Sequence, residues 1–227
     1  VYREYERAHV LVAGNFRLAE ISMKLAESQP RRGNREQAAA LSEQSAAELP
    51  DGWKLRQVGD FLLGLDMPEK AFAYYERAVA VSSSPDDEVS VLAAMADAYR
   101  NLRNQERFLD FARQYIAAAT AEGRTPSQAE QGLIAYYQAE ILASENRADE
   151  AYAAYERASG LLVDKARLSG VYMEMAEHQA RLGDADRAAD FSERSAEVLP
   201  EAWQLQQVGG IPMRLGMTDR AFGYFER

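Results

Sequence analysis

The sequence repeats itself after 150 residues without a gap. When residues 1–77 are placed on residues 151–227, 34 of the 77 aligned pairs are identical. Seven of the eleven residues from Leu49 to Gly59 are identical to those from Leu199 to Gly209. A chain that copies itself in this way is predicted to build its fold from repeated supersecondary units that stack on one another.

A shorter repeat lies inside the long one, and each copy has the pattern of two amphipathic helices. From Lys165 to Gln179 the apolar residues follow the helical spacing i, i+3, i+4, i+7, i+8. Gly183 and Asp184 then provide a helix end and an N-cap for the next helix. Alternating apolar runs with hairpin turns are absent. The sequence therefore predicts an all-α chain of antiparallel helix pairs, with repeats that start near residues 19, 52, 89, 132, 169 and 202.

Two segments have the composition of helix starts. Thr125-Pro126-Ser127-Gln128 offers an N-cap at Thr125, a proline at the first helical position and a Gln able to reach back. Ser84-Pro85 begins another helix in the same way. Both are predicted to open the first helix of a repeat.

Small residues recur where the two helices of a unit would cross closely. Position 8 of each repeat is Ala or Gly, and position 20 is Ala in all repeats except the third, which has Phe108. This arrangement resembles the tetratricopeptide repeat, a helix–turn–helix unit of about 34 residues. The resemblance covers the whole chain, is weakest between residues 86 and 131, and implies a right-handed solenoid. Gly59 and Ala188 are predicted to lie at close helix crossings.

The chain opens and stops inside the second helix of a repeat, since Tyr2 to Ala8 matches Tyr152 to Ala158. Neither end has the polar capping helix that solenoids need for solubility. We therefore expect residues 1–227 to form a single solenoid that is a fragment of a longer repeat array, continuing in both directions.

The charge balance limits the possible partners. With 26 basic and 36 acidic residues, the formal net charge is −10. That charge argues against nucleic acid or an anionic membrane surface as a partner and allows a cationic ligand. The chain has no cysteine, and no apolar run approaches the ~20 residues of a membrane-spanning helix.

No set of residues predicts catalysis. The two histidines, His9 and His178, occupy non-equivalent repeat positions, and Asp86-Asp87-Glu88 is typical of a helix start. Phosphate-binding loops and nucleophile–base pairs are missing. We therefore expect no enzymatic activity, no metal site and no cofactor.

In the resembled family the first helices line the concave surface, which implies a set of groove residues here. Position 9 is acidic in five of the six repeats, and we name these residues the acidic series: Glu27, Asp60, Asp97, Glu140 and Glu177. The same analogy places Trp53, Trp203, Tyr136 and Tyr137 on the groove. A solvated face is the alternative for the acids, and packing against the preceding helix is the alternative for the tryptophans. The family's groove for peptide carboxylates is not expected, because that groove uses Lys and Asn where this chain has acids and no Lys at position 5.

The phrase from Leu49 to Gly59, followed by an Ala-aromatic-x-Tyr-aromatic-Glu-Arg helix, resembles the periplasmic repeats of outer-membrane proteins such as the Pel exopolysaccharide export porins. These proteins carry their repeats before a membrane β-barrel. The resemblance implies a periplasmic scaffold that recruits a polysaccharide deacetylase or hydrolase, guides a cationic polysaccharide, or does both. The alternative is a general protein-interaction scaffold, cytoplasmic or periplasmic, that binds an extended peptide or helix.

Overall fold

The computed structural model describes residues 14–30 and 33–226, and over these ranges the only regular elements are helices. The predicted second helix from Tyr2 to Ala8, and His9, lie outside these ranges. The all-helical class that the sequence predicts is confirmed for the described residues.

The chain forms two compact units, divided between Ala118 and Ala119. The described helices of unit 1 are α1 (Asn15–Ser28), α2 (Arg35–Glu48), α3 (Gly52–Gly64), α4 (Pro68–Val81), α5 (Pro85–Asn101) and α6 (Gln105–Ala119). Those of unit 2 are α7 (Gln128–Ser144), α8 (Ala148–Ser159), α9 (Lys165–Arg181), α10 (Ala185–Val198), α11 (Ala202–Arg214) and α12 (Thr218–Phe225). Odd-numbered helices are the first helices of the predicted repeats, and even-numbered helices are the second.

The same turn joins the two helices of every repeat. Its central residue, the fifteenth of each repeat, has a left-handed backbone with φ between 56° and 80°. The amide that follows donates to the carbonyl five residues back, as in Asn104 to Tyr99 at 2.9 Å. This bond closes the last turn of the first helix. The six central residues are Gly33, Asp66, Arg103, Asn146, Gly183 and Gly216.

Four of the six described first helices, α3, α5, α7 and α9, begin at side-chain caps that are local in sequence. Ser84 accepts from the backbone N–H of Asp87, as its position before Pro85 predicts. The prediction at Thr125 is wrong by two residues, because the N-cap of α7 is Ser127. Its partner is Glu130, which completes a capping box by accepting from the Ser127 amide at 2.7 Å. The glutamate outcompetes the predicted Gln because it stands at the third helical position.

The two helices of a repeat run antiparallel and meet at the predicted small residues. A β-carbon added to Gly59 would lie 2.6 Å from the ring of Tyr75, closer than any real contact. Ala188 is fully buried and belongs to a cluster with Ala176 and Ile211. The prediction that Gly59 and Ala188 lie at close crossings is confirmed.

Helix boundaries recur after 150 residues. Helix α2 shifted by this length has the bounds of α10, and α3 shifted in the same way has the bounds of α11. A serine contact between the paired helices also recurs: Ser45 donates to the Ala19 carbonyl, and Ser195 donates to the Ser169 carbonyl.

Candidate functional site

In unit 1 a pocket of about 430 Å³ lies between two consecutive first helices, α3 and α5. The second helix of the same repeat, α4, contributes Tyr75 to it. Two members of the acidic series, Asp60 and Asp97, line this pocket together. The remaining lining residues are Arg56, Leu63, Ser90, Ala93, Ala94, Ala98 and Asn101.

The Tyr75 hydroxyl fixes one of the two carboxylates. It donates to Asp60 Oδ1 at 2.7 Å, and Arg56 donates to the other oxygen of Asp60 at 3.2 Å. Burial and then the charge of Asp60 raise the pKa of Tyr75 well above its usual value, so the phenol stays protonated and remains a donor. The charge of Asp97 raises the pKa of Tyr75 further.

Unit 2 has a related pocket of about 310 Å³, which is lined mostly by α8 and α9 and to which α7 contributes Ala143. The Tyr155 hydroxyl donates to Glu140 at 3.0 Å, as Tyr75 does to Asp60. Burial, followed by the charges of Glu140 and Glu174, raises the pKa of Tyr155. The walls of the unit 2 pocket differ from those of the unit 1 pocket, since Glu174 and His178 of α9 occupy the repeat positions that Ala94 and Ala98 occupy in α5.

Four members of the acidic series have side-chain contacts within the chain. Glu27 forms an ion pair with Lys24 at 2.8 Å, and Glu177 pairs with Arg214 of the next first helix. The carboxylates at Asp60 and Glu140 accept phenol hydrogen bonds. Hydrogen bonds and ion pairs within the chain therefore take up part of the binding capacity that a cationic ligand would use.

The predicted aromatic groove residues separate into two groups. Trp53 and Trp203 are 45% and 51% exposed, so each presents a large apolar surface to solvent. Lys54 Nζ lies 4.4 Å from the centre of the Trp53 ring, and the Trp203 indole N–H donates to Glu201. The rings of Tyr136 and Tyr137 are buried, and the structure places them in the interior of unit 2 instead of on its surface.

Sequence reasoning missed the tyrosines at position 24 of the repeat. A signal was available in the pairing of positions 9 and 24. Asp60 and Glu140 occur with Tyr75 and Tyr155, whereas Gly210 occurs with a phenylalanine, which has no hydroxyl to donate. Where position 24 is aromatic, an acid at position 9 is thus accompanied by a tyrosine hydroxyl, whereas Asp97 of the third repeat occurs with Ala112.

Among the described residues there is no group of three or more acidic or histidine side chains placed to hold a metal ion. Within the same ranges, every helix is too short or too polar to cross a bilayer. His178 is buried against Tyr152, with ring centres 4.7 Å apart, and is one wall of the unit 2 pocket.

No protein-family model matches the sequence, and no curated protein matches it. Solved structures are similar in fold. A tetratricopeptide repeat protein from Parabacteroides merdae superposes with a TM-score of 0.65 at 16% identity, over 99% of this chain and 83% of that one. PilF of Pseudomonas aeruginosa superposes with a TM-score of 0.62 at 16% identity, over 91% of this chain and 88% of that one. PilW, a type IV pilus biogenesis factor, superposes with a TM-score of 0.62 at 16% identity, over 91% of this chain and 90% of that one. The chain therefore has the helical-hairpin fold of tetratricopeptide-repeat proteins.

Proposed function

We propose that this chain is a non-catalytic protein-interaction scaffold that holds an extended peptide on the faces formed by its first helices. The observation that carries the proposal is the recurrence of one pocket in both units. In each unit the pocket is lined by residues of two consecutive first helices and of the second helix between them, including a tyrosine that donates to an acid of the acidic series. A pocket of this size suits a side chain of a bound peptide.

The unit 1 pocket fits a basic side chain of such a peptide. Leu63 and the small side chains of Ala93 and Ala94 leave an apolar channel for the methylene stem of a lysine. The carboxylates of Asp60 and Asp97 lie on the same pocket for its ammonium group. Each exposed ion pair is worth only about 0–1 kcal/mol, so affinity must come from several contacts along the peptide.

The test is a calorimetric titration with a lysine-containing peptide and with its lysine-acetylated form. Replacing Asp97 by Asn should weaken binding of the lysine peptide by about three- to fivefold, the share of one exposed ion pair. The acetylated peptide should bind wild type and Asp97→Asn alike. Asp110→Asn, an equal charge change on the exposed side of α6, is the matched control and should leave both affinities unchanged. Equal binding of the lysine peptide to wild type and Asp97→Asn would contradict the placement.

A second candidate ligand is an amine-bearing polysaccharide, as the resemblance to exopolysaccharide export proteins implies. It is favoured by the presence of two carboxylates on one pocket and by the net charge of −10. A polymer with many amines would meet the acidic series through multivalent contacts and would bind more weakly as salt rises. A periplasmic location and a polysaccharide-modifying enzyme as protein partner belong to this proposal.

Partly deacetylated amino-sugar oligomers distinguish the two candidates. If the polymer is the ligand, binding at low salt should exceed that of the fully acetylated oligomer, and joint replacement of Asp97, Glu140 and Glu177 by Asn or Gln should weaken it. A matched triple replacement of Asp110, Asp186 and Glu197, which are exposed on second helices, controls for net charge. Absence of binding to the deacetylated oligomer at low salt would leave the peptide as the ligand.

A further inference from the structure

One wall of the unit 2 pocket presents three different polar groups in a row along α9. Glu174, His178 and Arg181 follow one another at intervals of four and three residues, and all three line the pocket. With a helical rise of 1.5 Å per residue, Glu174 and Arg181 are separated by about 10 Å along the helix axis. Both are on the exposed part of the helix.

The middle of this row is a flat aromatic surface. The His178 ring stacks on Tyr152 of α8 with an interplanar angle of 26°, and His178 is only 8% exposed. Asp149 lies 3.7 Å from the imidazole Nε2. The charged ends of the row are thus separated by a rigid wall, against which a peptide backbone or an apolar side chain can lie.

Packing alone does not require this row. The related pocket of unit 1 has Ala94 and Ala98 in place of the glutamate and histidine, and Asn101 in place of the arginine. The two pockets share the tyrosine and differ in the wall, which is where side chains of a ligand would be distinguished.

We propose that the α9 row binds a peptide segment that carries one basic and one acidic side chain, and that it selects the spatial order of the two charges. The basic group lies at Glu174 and the acidic group at Arg181, whose guanidinium can bind a carboxylate with two hydrogen bonds. In an extended peptide, residues two apart project to the same side about 6.7 Å apart, and long side chains span the remainder. This inference rests on the proposed peptide-binding function and adds to it the chemistry of the unit 2 pocket.

The test uses two fluorescein-labelled peptides of identical composition, in which a Lys-Ala-Glu segment and a Glu-Ala-Lys segment are embedded in the same neutral, direction-setting flanks. Binding to the whole chain is followed by anisotropy. Wild type should prefer one peptide by about three- to tenfold, the effect of two exposed ion pairs exchanged for two like-charge contacts. The variant Glu174→Arg/Arg181→Glu, which has the same net charge, should prefer the other peptide by a similar factor.

A charge swap elsewhere provides the control. Arg194→Glu/Glu197→Arg exchanges two exposed charges on α10 and should keep the wild-type preference. Glu174→Gln/Arg181→Gln should bind both peptides equally, and urea midpoints close to wild type verify that each variant is folded. If wild type binds both peptides equally, or if the α9 swap leaves the preference unchanged, the proposal that the α9 row selects the order of the charges is overturned. The proposed peptide-binding function is not affected by that result. If neither peptide binds and the lysine peptide of the unit 1 test also fails, the scaffold function itself is overturned.

Discussion

Residues 15–76 hold their helices together with polar pairs that residues 165–226, the second copy of the same sequence, largely lack. In the first copy Lys54 reaches Glu20 at 2.5 Å, although the lysine side chain is fully buried. The second copy has Gln204 and Gly170 at these places, and Gln204 donates to Ser195. The charge and its partner are therefore replaced together.

Other contacts of the first copy change in the same paired manner. Ser22 donates to Glu48 at 2.9 Å, and the second copy has Tyr172 and Val198 at these two positions. Arg35 pairs with Asp66 at 3.5 Å, where the second copy has an alanine and a glycine. For Lys54 and Ser22, which are buried, both partners change because one left alone would be a buried polar group without its partner.

The largest effect is expected from breaking the buried pair of the first copy. Replacing Glu20 by Ala leaves the Lys54 ammonium buried without a carboxylate and should cost about 2–4 kcal/mol of unfolding free energy. Adding Lys54→Gln, the residue of the second copy, should bring stability back to within about 1 kcal/mol of wild type. Urea denaturation of the two single variants and the double variant measures this coupling.

The exposed pair between Lys70 and Glu43 is the matched control, since the lysine side chain is 54% exposed. Replacing Glu43 by Ala should cost no more than about 1 kcal/mol. Strict additivity of the Glu20 and Lys54 replacements would contradict the claim that this pair changed as a unit.

Glycine positions sharpen the comparison, because the two copies keep one and change the other. Gly59 is retained as Gly209, and adding a methyl group at Gly59 should cost about 1–3 kcal/mol through its collision with the Tyr75 ring. Gly64 is replaced by Arg214, and a β-carbon there meets nothing within 4 Å. Gly64→Ala should therefore stabilise α3 by up to about 1 kcal/mol. Thermal melting should show a lower melting temperature for Gly59→Ala and an equal or higher one for Gly64→Ala. A lower melting temperature for Gly64→Ala would contradict the prediction that this position has room for a methyl group.

Sequence reasoning reached the helix pairs, the close crossings and most helix starts, because each depends on residues near in sequence or on small residues at repeat positions. It failed for Tyr136 and Tyr137, which it placed on the groove. Helix α7 buries four consecutive residues, from Ile134 to Tyr137, and so is covered on more than one side. A one-sided apolar stripe does not anticipate such a helix, although its high overall hydrophobicity is a usable signal.

The candidate site was predictable only in part. The acids at Asp60 and Asp97 were found from their shared repeat position, and both lie on one pocket. The contacts that orient members of the acidic series come from distant residues: Tyr75, 15 positions away, donates to Asp60, and Arg214 of the next first helix pairs with Glu177. Such contacts depend on how helices cross, which periodicity within one helix does not encode. The prediction of one continuous solenoid over residues 1–227 stays a prediction.

The turn at position 15 provides a smaller test of the two copies. The first copy has Asp66 at φ 57° where the second has Gly216 at φ 74°. Asp66→Gly should stabilise the chain by about 0.5 kcal/mol, because an L side chain is disfavoured in this conformation and the ion pair with Arg35 that is lost is exposed and contributes little. Gly216→Asp should lose a similar amount. Equal melting temperatures for all three proteins would show that this turn is not strained in either copy.

Helix α7, which lies between the two copies, begins at the capping box formed by Ser127 and Glu130. Low pH should weaken this capping box. Burial would raise the pKa of Glu130, but hydrogen bonds from Ser127 and the charge of Arg124 outweigh it and lower the pKa below its usual 4.5. The charged form therefore stabilises the fold above pH 4.5, and this contribution is lost as the pH falls through the lowered pKa. Glu130→Gln should cost about 0.5–1 kcal/mol at pH 7 and less in acid. A cost that does not shrink with falling pH would contradict this role.

Filling the unit 1 pocket tests the central claim most directly. Ala93, which lines the pocket and is half-buried, is replaced by Phe, and Ala117, exposed on α6, is replaced by Phe as a control. Calorimetric titration of the lysine peptide should show binding reduced at least tenfold for Ala93→Phe, because the ring occupies the space of the ligand side chain. The control should bind like wild type, and both variants should keep the wild-type helical circular dichroism. Undiminished binding to a folded Ala93→Phe variant would contradict the claim that the pocket between α3 and α5 holds the ligand.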